Sequence, residues 1–236
     1  MDTVLLIVTG PRGSGKSTLM ARTAAELRAR GLAVAGVLCP GRYEAGIKTG
    51  TYWTDLSVRE QGEHATGPDR LLAHADLSEA AAIAAFGKQA RRDDPRPRPR
   101  FDSSDAESVR YGKWIFSKAA LAAADKAGAR ALRGAGAVAF IDEIGPLELE
   151  HAAGFIGCLG ELDRLFCRGV RPSPSGARSA GESALPKGRA VLVAVRDELA
   201  PGILERWPEG ELVRLTESGR DALPAALAER IASIAR

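Results

Sequence analysis

A doubly wound α/β fold on a mainly parallel sheet is predicted by three features of the 236-residue chain. Continuous apolar, β-branched runs recur at 4–9, 33–39, 137–141 and 190–195. Such uninterrupted runs suit strands buried on both faces, which is what a parallel sheet supplies. Helical stretches alternate with them, and the first forty residues read strand, glycine-rich turn, helix, strand: one βαβ unit.

The elements follow in order. Residues 4–9 predict the first strand. Residues 16–30 carry Leu19, Met20, Ala24 and Leu27 at helical spacing, and Gly31 is placed to end that helix. Residues 33–39 are the second strand. In 40–62, glycines at turn spacing between aromatic and β-branched flanks predict an antiparallel hairpin inserted at a sheet edge. Residues 77–86 suggest a short alanine-rich helix. The run Asp-Asp-Pro-Arg-Pro-Arg-Pro-Arg at 93–100 predicts a surface loop, because its prolines remove backbone donors. Residues 116–133 predict a long helix ending before Gly134, 137–141 a buried strand, and 154–168 a helix. The Ser-, Pro- and Gly-rich stretch at 172–187 predicts a mobile loop. Residues 190–195 and 211–215 predict strands, and 221–235 a closing amphipathic helix. The expected organisation is a single domain over 1–236, with insertions near 40–62 and 87–115 and a flexible loop at 172–188.

Composition removes several classes of function. Hydrophobic residues make up 45% and charged residues 27%, a balance that fills a globular core. No apolar run approaches the roughly 18 residues of a membrane span, so no membrane partner is expected. The N-terminus lacks a basic region and a small-residue cleavage site, which reads as a strand and not a signal peptide. The net charge of +3 comes from interleaved acids and bases, and a nucleic-acid partner is not expected. Cys39, Cys158 and Cys167 have no zinc spacing and suggest reduced thiols in a cytoplasmic protein. His64, His74 and His151 form no cluster, which argues against a zinc enzyme.

The chemistry is carried by two motifs. Gly10-Pro11-Arg12-Gly13-Ser14-Gly15-Lys16-Ser17 matches G-x-x-x-x-G-K-[ST] and sits, as that motif requires, after a strand and at the start of a helix. Its glycines let successive N–H groups converge on phosphate oxygens, and the helix that follows adds its positive end. Residues 10–18, through Thr18, are the expected phosphate-binding segment. Lys16 is placed to reach the β- and γ-phosphates, and the Ser17 hydroxyl to ligate Mg²⁺. The second motif is the apolar strand ending in Asp142-Glu143. An Asp at that strand end suits a Walker B residue holding Mg²⁺, so the metal candidates are Ser17 and Asp142 and the expected cofactor is Mg²⁺. Glu143 is the candidate to orient or deprotonate an attacking water, which with Lys16 gives the catalytic pair. Strand alternation would point the two carboxylates opposite ways, so the chain must be leaving the strand there. Two accessory candidates lie nearby. Arg196 ends the 191–195 strand, with contact to a nucleotide set against an ordinary ion pair with Asp197 or Glu198. Glu148 lies just past the second motif, with a supporting role set against a solvated charge.

Thr9 to Thr18 together with Asp142-Glu143-Ile144-Gly145-Pro146-Leu147-Glu148-Leu149 resembles the small P-loop nucleoside-triphosphatase family, described from thermophiles and with a human cancer-related member. Its second signature reads D-E-I-G-[KP]-x-E-L, and the 36–50 segment and the strand ending at Arg196 are similar too. The resemblance covers most of the chain in order and is diffuse between 60 and 135. It implies a three-layer P-loop fold of the ASCE type, in which a further strand separates the two motif strands. It also implies Mg²⁺-dependent hydrolysis of ATP, GTP or other nucleoside triphosphates to diphosphate and phosphate, with broad base preference. The segments at 93–100 and 172–188 look like additions to the family pattern.

Two other readings use the same loop. A nucleotide, nucleoside or RNA-end kinase would transfer phosphate to an acceptor hydroxyl, with Asp55 or Arg42 lining the acceptor pocket and 91–100 as a lid. A nucleotide-dependent switch would use slow hydrolysis to time the binding of a partner. Arg12, Arg110 and Arg196 are the candidates for an assisting arginine; oligomeric state and protein partners are left open.

Overall fold

In the computed structural model, residues 2–44, 47–58, 70–76, 101–134, 138–167, 188–216 and 221–235 are described. In chain order they form β1 (Asp2–Gly10), α1 (Lys16–Ala29), β2 (Val34–Leu38), β3 (Gly41–Glu44), β4 (Ile47–Tyr52), β5 (Thr54–Asp55), β6 (Leu71–Ala75), β7 (Phe101–Asp102), β8 (Ser108–Tyr111) and β9 (Trp114–Ser117). There follow α2 (Lys118–Arg133), β10 (Val138–Asp142), α3 (Pro146–His151), α4 (Ile156–Phe166), β11 (Gly188–Arg196), a 3₁₀ turn at Asp197–Leu199, α5 (Ala200–Arg206), β12 (Glu211–Arg214) and α6 (Leu223–Ile234). The chain divides into two compact units. One comprises Met1–Leu38, Asp55–Arg59 and Asp125–Arg236, the other Cys39–Thr54 and Glu60–Ala124.

The first unit is built on a sheet of order β12-β1-β11-β10-β2-β5. The pairs β12/β1, β1/β11, β11/β10 and β10/β2 are all parallel. Alternate residues of a strand face opposite ways. Leu6, Val8, Phe140, Leu192 and Ala194 share one cluster with Leu19, Met20, Ala24 and Leu27 of α1 and Leu227, Ala228 and Ile231 of α6. Their neighbours Leu5, Ile7, Ile141, Val191 and Val193 are buried equally fully on the opposite face. There α2 and α4 come close. A Cβ at Gly128 of α2 would lie 2.5 Å from Cys158 Sγ and 3.0 Å from Ile141 Cδ1. Helices on both faces of a parallel sheet give three layers, and the apolar runs of the sequence are the strands that need both covers. Gly36 in β2 has φ of 117°, and a Cβ there would fall 2.0 Å from the Phe140 carbonyl oxygen, so β2 and β10 approach at a position only glycine fits.

The second unit holds an antiparallel sheet of order β3-β4-β6-β9-β8-β7. The expected hairpin is its first pair, β3 with β4, shifted in register between Arg42 and Tyr43. β6, β9, β8 and β7 extend it. Within this unit Arg110 pairs with Asp76 at 2.9 Å, and the Arg70 guanidinium lies 4.1 Å from the Trp53 ring centre.

Several boundaries differ from expectation, each for a local reason. Phe116 and Ser117 belong to β9 and not to the helix; Ser117 Oγ accepts the Ala120 N–H at 3.2 Å, which makes Ser117 the residue that starts α2. The helix expected over 154–168 begins at Ile156 and ends at Phe166, because Gly154 (φ 80°) turns the chain first. A short helix, α3, precedes it. Residues 77–86, 93–100 and 172–187 lie outside the described residues. No helix among the described residues is long and apolar enough to cross a membrane.

Candidate active site

β1 ends in the glycine motif at the carboxyl edge of the parallel sheet, where ligands of open α/β sheets bind. Gly13 (φ 79°) and Gly15 (φ 98°) are left-handed, and the Ser14 N–H donates to the Pro11 carbonyl at 3.1 Å to close the turn. Gly15 is the N-cap of α1 and offers no side chain to the helix N-terminus, so the first-turn N–H groups are left for a ligand. Ser17 is half-buried in that turn and Thr18 is exposed; Pro11 and Arg12 are exposed on the loop. Lys16 Nζ turns back and donates to the carbonyls of Gly10 (2.7 Å) and Pro11 (3.0 Å).

β11 stands between β1 and β10, so one strand separates the two motifs. Register places Gly10 opposite Arg196 and Asp142 opposite Ala194. β10 ends at Asp142, and the Ile144 N–H donates to the Ala194 carbonyl at 3.1 Å as the chain departs. Between them Glu143 has φ of 77°, a left-handed conformation that costs a non-glycine residue about 1–3 kcal/mol. This turn is the departure from the strand expected after Asp142. Asp142 is 2% exposed, whereas the Glu143 side chain is 43% exposed. Both act on Lys16. Burial lowers the lysine's pKa, and Glu143, Asp197 and Asp142, in that order, oppose the shift; Arg196 adds to it.

Arg196 is paired, but not with its sequence neighbours: its Nη2 lies 3.5 Å from Glu143 Oε1. Glu148 is buried, not solvated. Its Oε2 accepts the Gly145 N–H at 2.8 Å and its Oε1 the Phe155 N–H at 2.9 Å. Reaching back to Gly145, the N-cap of α3, it makes one half of a capping box. Burial pushes its carboxyl up to about 7, outweighing the backbone N–H groups that favour the charged form.

Asp197, which the sequence reading offered only as an ion-pair partner of Arg196, completes this edge. Asp197 Oδ1 accepts a 2.6 Å hydrogen bond from the hydroxyl of buried Thr9. With Gly10–Ser14, with Arg214 at the end of β12 and with Leu215 and Thr216 beyond it, it lines a cavity of about 500 Å³. Its only sequence signal is its place, one residue past the end of a central strand. The candidates tied to the kinase reading are engaged elsewhere: Arg42 with Glu44 (2.6 Å) and Asp55 with Arg130 (2.6 Å). Arg110 pairs with Asp76, as described.

A family described as NTPase matches residues 5–69. The nucleoside-triphosphatase THEP1 of Ignicoccus hospitalis is 31% identical over 145 residues, which is 61% of this chain and 61% of that protein. The chain therefore matches less than two thirds of that relative's length. The nucleoside-triphosphatase THEP1 of Caldivirga maquilingensis is 21% identical over 217 residues, 92% of this chain and 88% of that one. The solution structure of a human cancer-related nucleoside triphosphatase aligns over 98% of both chains with a TM-score of 0.53 and 20% identity, a likeness of fold. The motif loop, the strand between the two motifs and these likenesses agree: the chain is similar to P-loop nucleoside-triphosphatases.

Proposed function

We propose that the chain hydrolyses nucleoside 5′-triphosphates to diphosphate and phosphate. One observation carries the reading: the glycine loop and the Asp142–Glu143 pair meet at one sheet edge, where both carboxylates act on the Lys16 charge. Lys16 already donates to two loop carbonyls, and phosphate oxygens are stronger acceptors in the same reach. The uncapped first turn of α1 and the backbone of residues 10–18 hold the remaining phosphate oxygens. Glu143, exposed and fixed by its turn and by Arg196, orients the attacking water and takes its proton. Arg196 sets the orientation of that carboxylate.

The donors fit Mg²⁺. The Ser17 hydroxyl and the Asp142 carboxylate are hard oxygens, and no group of three or more His, Cys, Asp or Glu forms a metal cage among the described residues. A cation that keeps most of its waters and shares substrate phosphates needs only such a pair. When bound, Mg²⁺ neutralises phosphate charge. Catalysis is then mainly positional and electrostatic. We assign the chain one catalytic domain, with the segments near 40–62 and 87–115 as insertions, a cytoplasmic setting and broad base preference.

The test is phosphate release from ATP, GTP, CTP and UTP with Mg²⁺ by wild type, Lys16→Ala and Glu143→Gln. Wild type should release phosphate steadily, Lys16→Ala should fail to bind, and Glu143→Gln should bind without turnover. Tight binding without release by the wild type would overturn the reading in favour of phosphate transfer or a nucleotide-gated switch.

A further inference from the structure

A carboxylate beside a phosphate-binding loop needs a reason to be there. Like charges repel, so Asp197 is not a phosphate contact. The Thr9 hydroxyl, buried at the end of β1, donates to Oδ1 and fixes the direction of the group. Among the described residues no donor is recorded for Oδ2, and Asp197 is itself exposed. The cavity it lines, about 500 Å³, is of a size to take a nucleoside. It adjoins the front of the loop, Gly10–Ser14, and is walled on its far side by Arg214, Leu215 and Thr216. No aromatic side chain stands among these lining residues, so no aromatic ring of this wall stacks on a base.

We propose that Asp197 accepts hydrogen bonds from the ribose hydroxyls of the bound nucleotide, so that the sugar and not the base is the part recognised. The inference rests on the nucleotide-hydrolase reading and deepens it. A ribose offers vicinal hydroxyl donors, and a carboxylate is the acceptor that dinucleotide folds use for the same group. The sugar is common to ATP, GTP, CTP and UTP, so recognition there costs no base tolerance. Thr9 acts as the positioning residue: buried and donating, it holds Asp197 toward the cavity.

The test compares ATP with 2′-deoxyATP and 3′-deoxyATP in wild type, Asp197→Ala and Asp197→Asn. Loss of a hydrogen bond to a charged group should lower wild-type kcat/KM for at least one deoxy analogue by about ten- to a hundredfold. Asp197→Ala should lower ATP further than it lowers that analogue and so close the gap between them, with Asp197→Asn between. Equal use of all three nucleotides by the wild type would overturn the proposal. So would an equal fall for all three in Asp197→Ala, which would mean that the residue acts through the loop. Calorimetric titration with ADP and its 2′- and 3′-deoxy forms reads the same discrimination without turnover. If the wild type releases no phosphate from any triphosphate, the hydrolase reading fails, and these binding ratios alone decide the ribose contact.

Discussion

Two strand-to-helix turns meet at the same sheet edge and are built on opposite terms. In the turn after β1, glycines supply the left-handed positions and the N-cap has no side chain. In the turn after β10, Glu143 itself takes the left-handed position, and Glu148 caps the next helix from inside the protein. The first turn leaves its N–H groups open for a ligand to complete. The second is complete without one and spends strain to present a carboxylate. In the function proposed above, the binding turn is defined by what it leaves unsatisfied and the catalytic turn by how firmly its own residues are held.

The contrast can be sharpened by substitution, largest effect first. Glu143→Gln keeps the shape of the second turn and removes its base. Turnover should fall about 10²–10⁴-fold, roughly 3–5 kcal/mol of transition-state stabilisation, with nucleotide affinity within a few-fold of wild type. Single-turnover phosphate release beside equilibrium binding checks this. A parallel loss of affinity would break the division between the two turns.

Glu148 gives the next effect, on stability. Its carboxyl keeps a proton to about pH 7 in the fold, against an ordinary value of 4.5. Between those values the folded chain binds more protons than the unfolded chain, so stability falls as pH rises through the window. The contribution lost above it is of order 3 kcal/mol. Urea unfolding of wild type from pH 4.5 to 8 should show that decline, and Glu148→Gln should flatten it. An identical slope in both proteins would mean that the Gly145 and Phe155 N–H groups offset the burial of Glu148 in full.

The smallest effect tests strain directly. Glu143→Gly should raise unfolding free energy by about 1 kcal/mol, because glycine is free to adopt φ of 77°. It should also abolish turnover. A stability unchanged or lowered would show that the strained turn carries compensating contacts that glycine loses.

The course of the first turn was legible in the sequence, because left-handed backbone calls for glycine and Gly13 and Gly15 stand at fixed spacing. The strands were legible for a similar reason: burial on both faces keeps the middles of β1, β10 and β11 apolar, at 4–8, 138–141 and 190–195. The antiparallel sheet was not. Its strands run from two to six residues, and segments such as Ser108–Tyr111 carry no clear alternation, so only the hairpin with its glycines stood out. Glu148 reads as a surface charge until Phe155, seven residues on, folds back to donate to it. Asp197 was read as a partner for Arg196, but tertiary pairing sent Arg196 to Glu143 and Asp197 to Thr9, 188 residues away. Short-range patterns carry the loop; long-range pairings of the edge do not appear in them.

The start of β11 is anchored from its first residue. Gly188 pairs with Asp2, and a side chain there would strike the Ile234 carbonyl; buried Arg189 donates to the carbonyls of Ala131 and Leu132 at the end of α2. Arg196 and Asp197 lie at the other end of that strand. Both ends of the strand are thus tied, so a change at Gly188 or Arg189 would reach Arg196 and Asp197 through the register of β11.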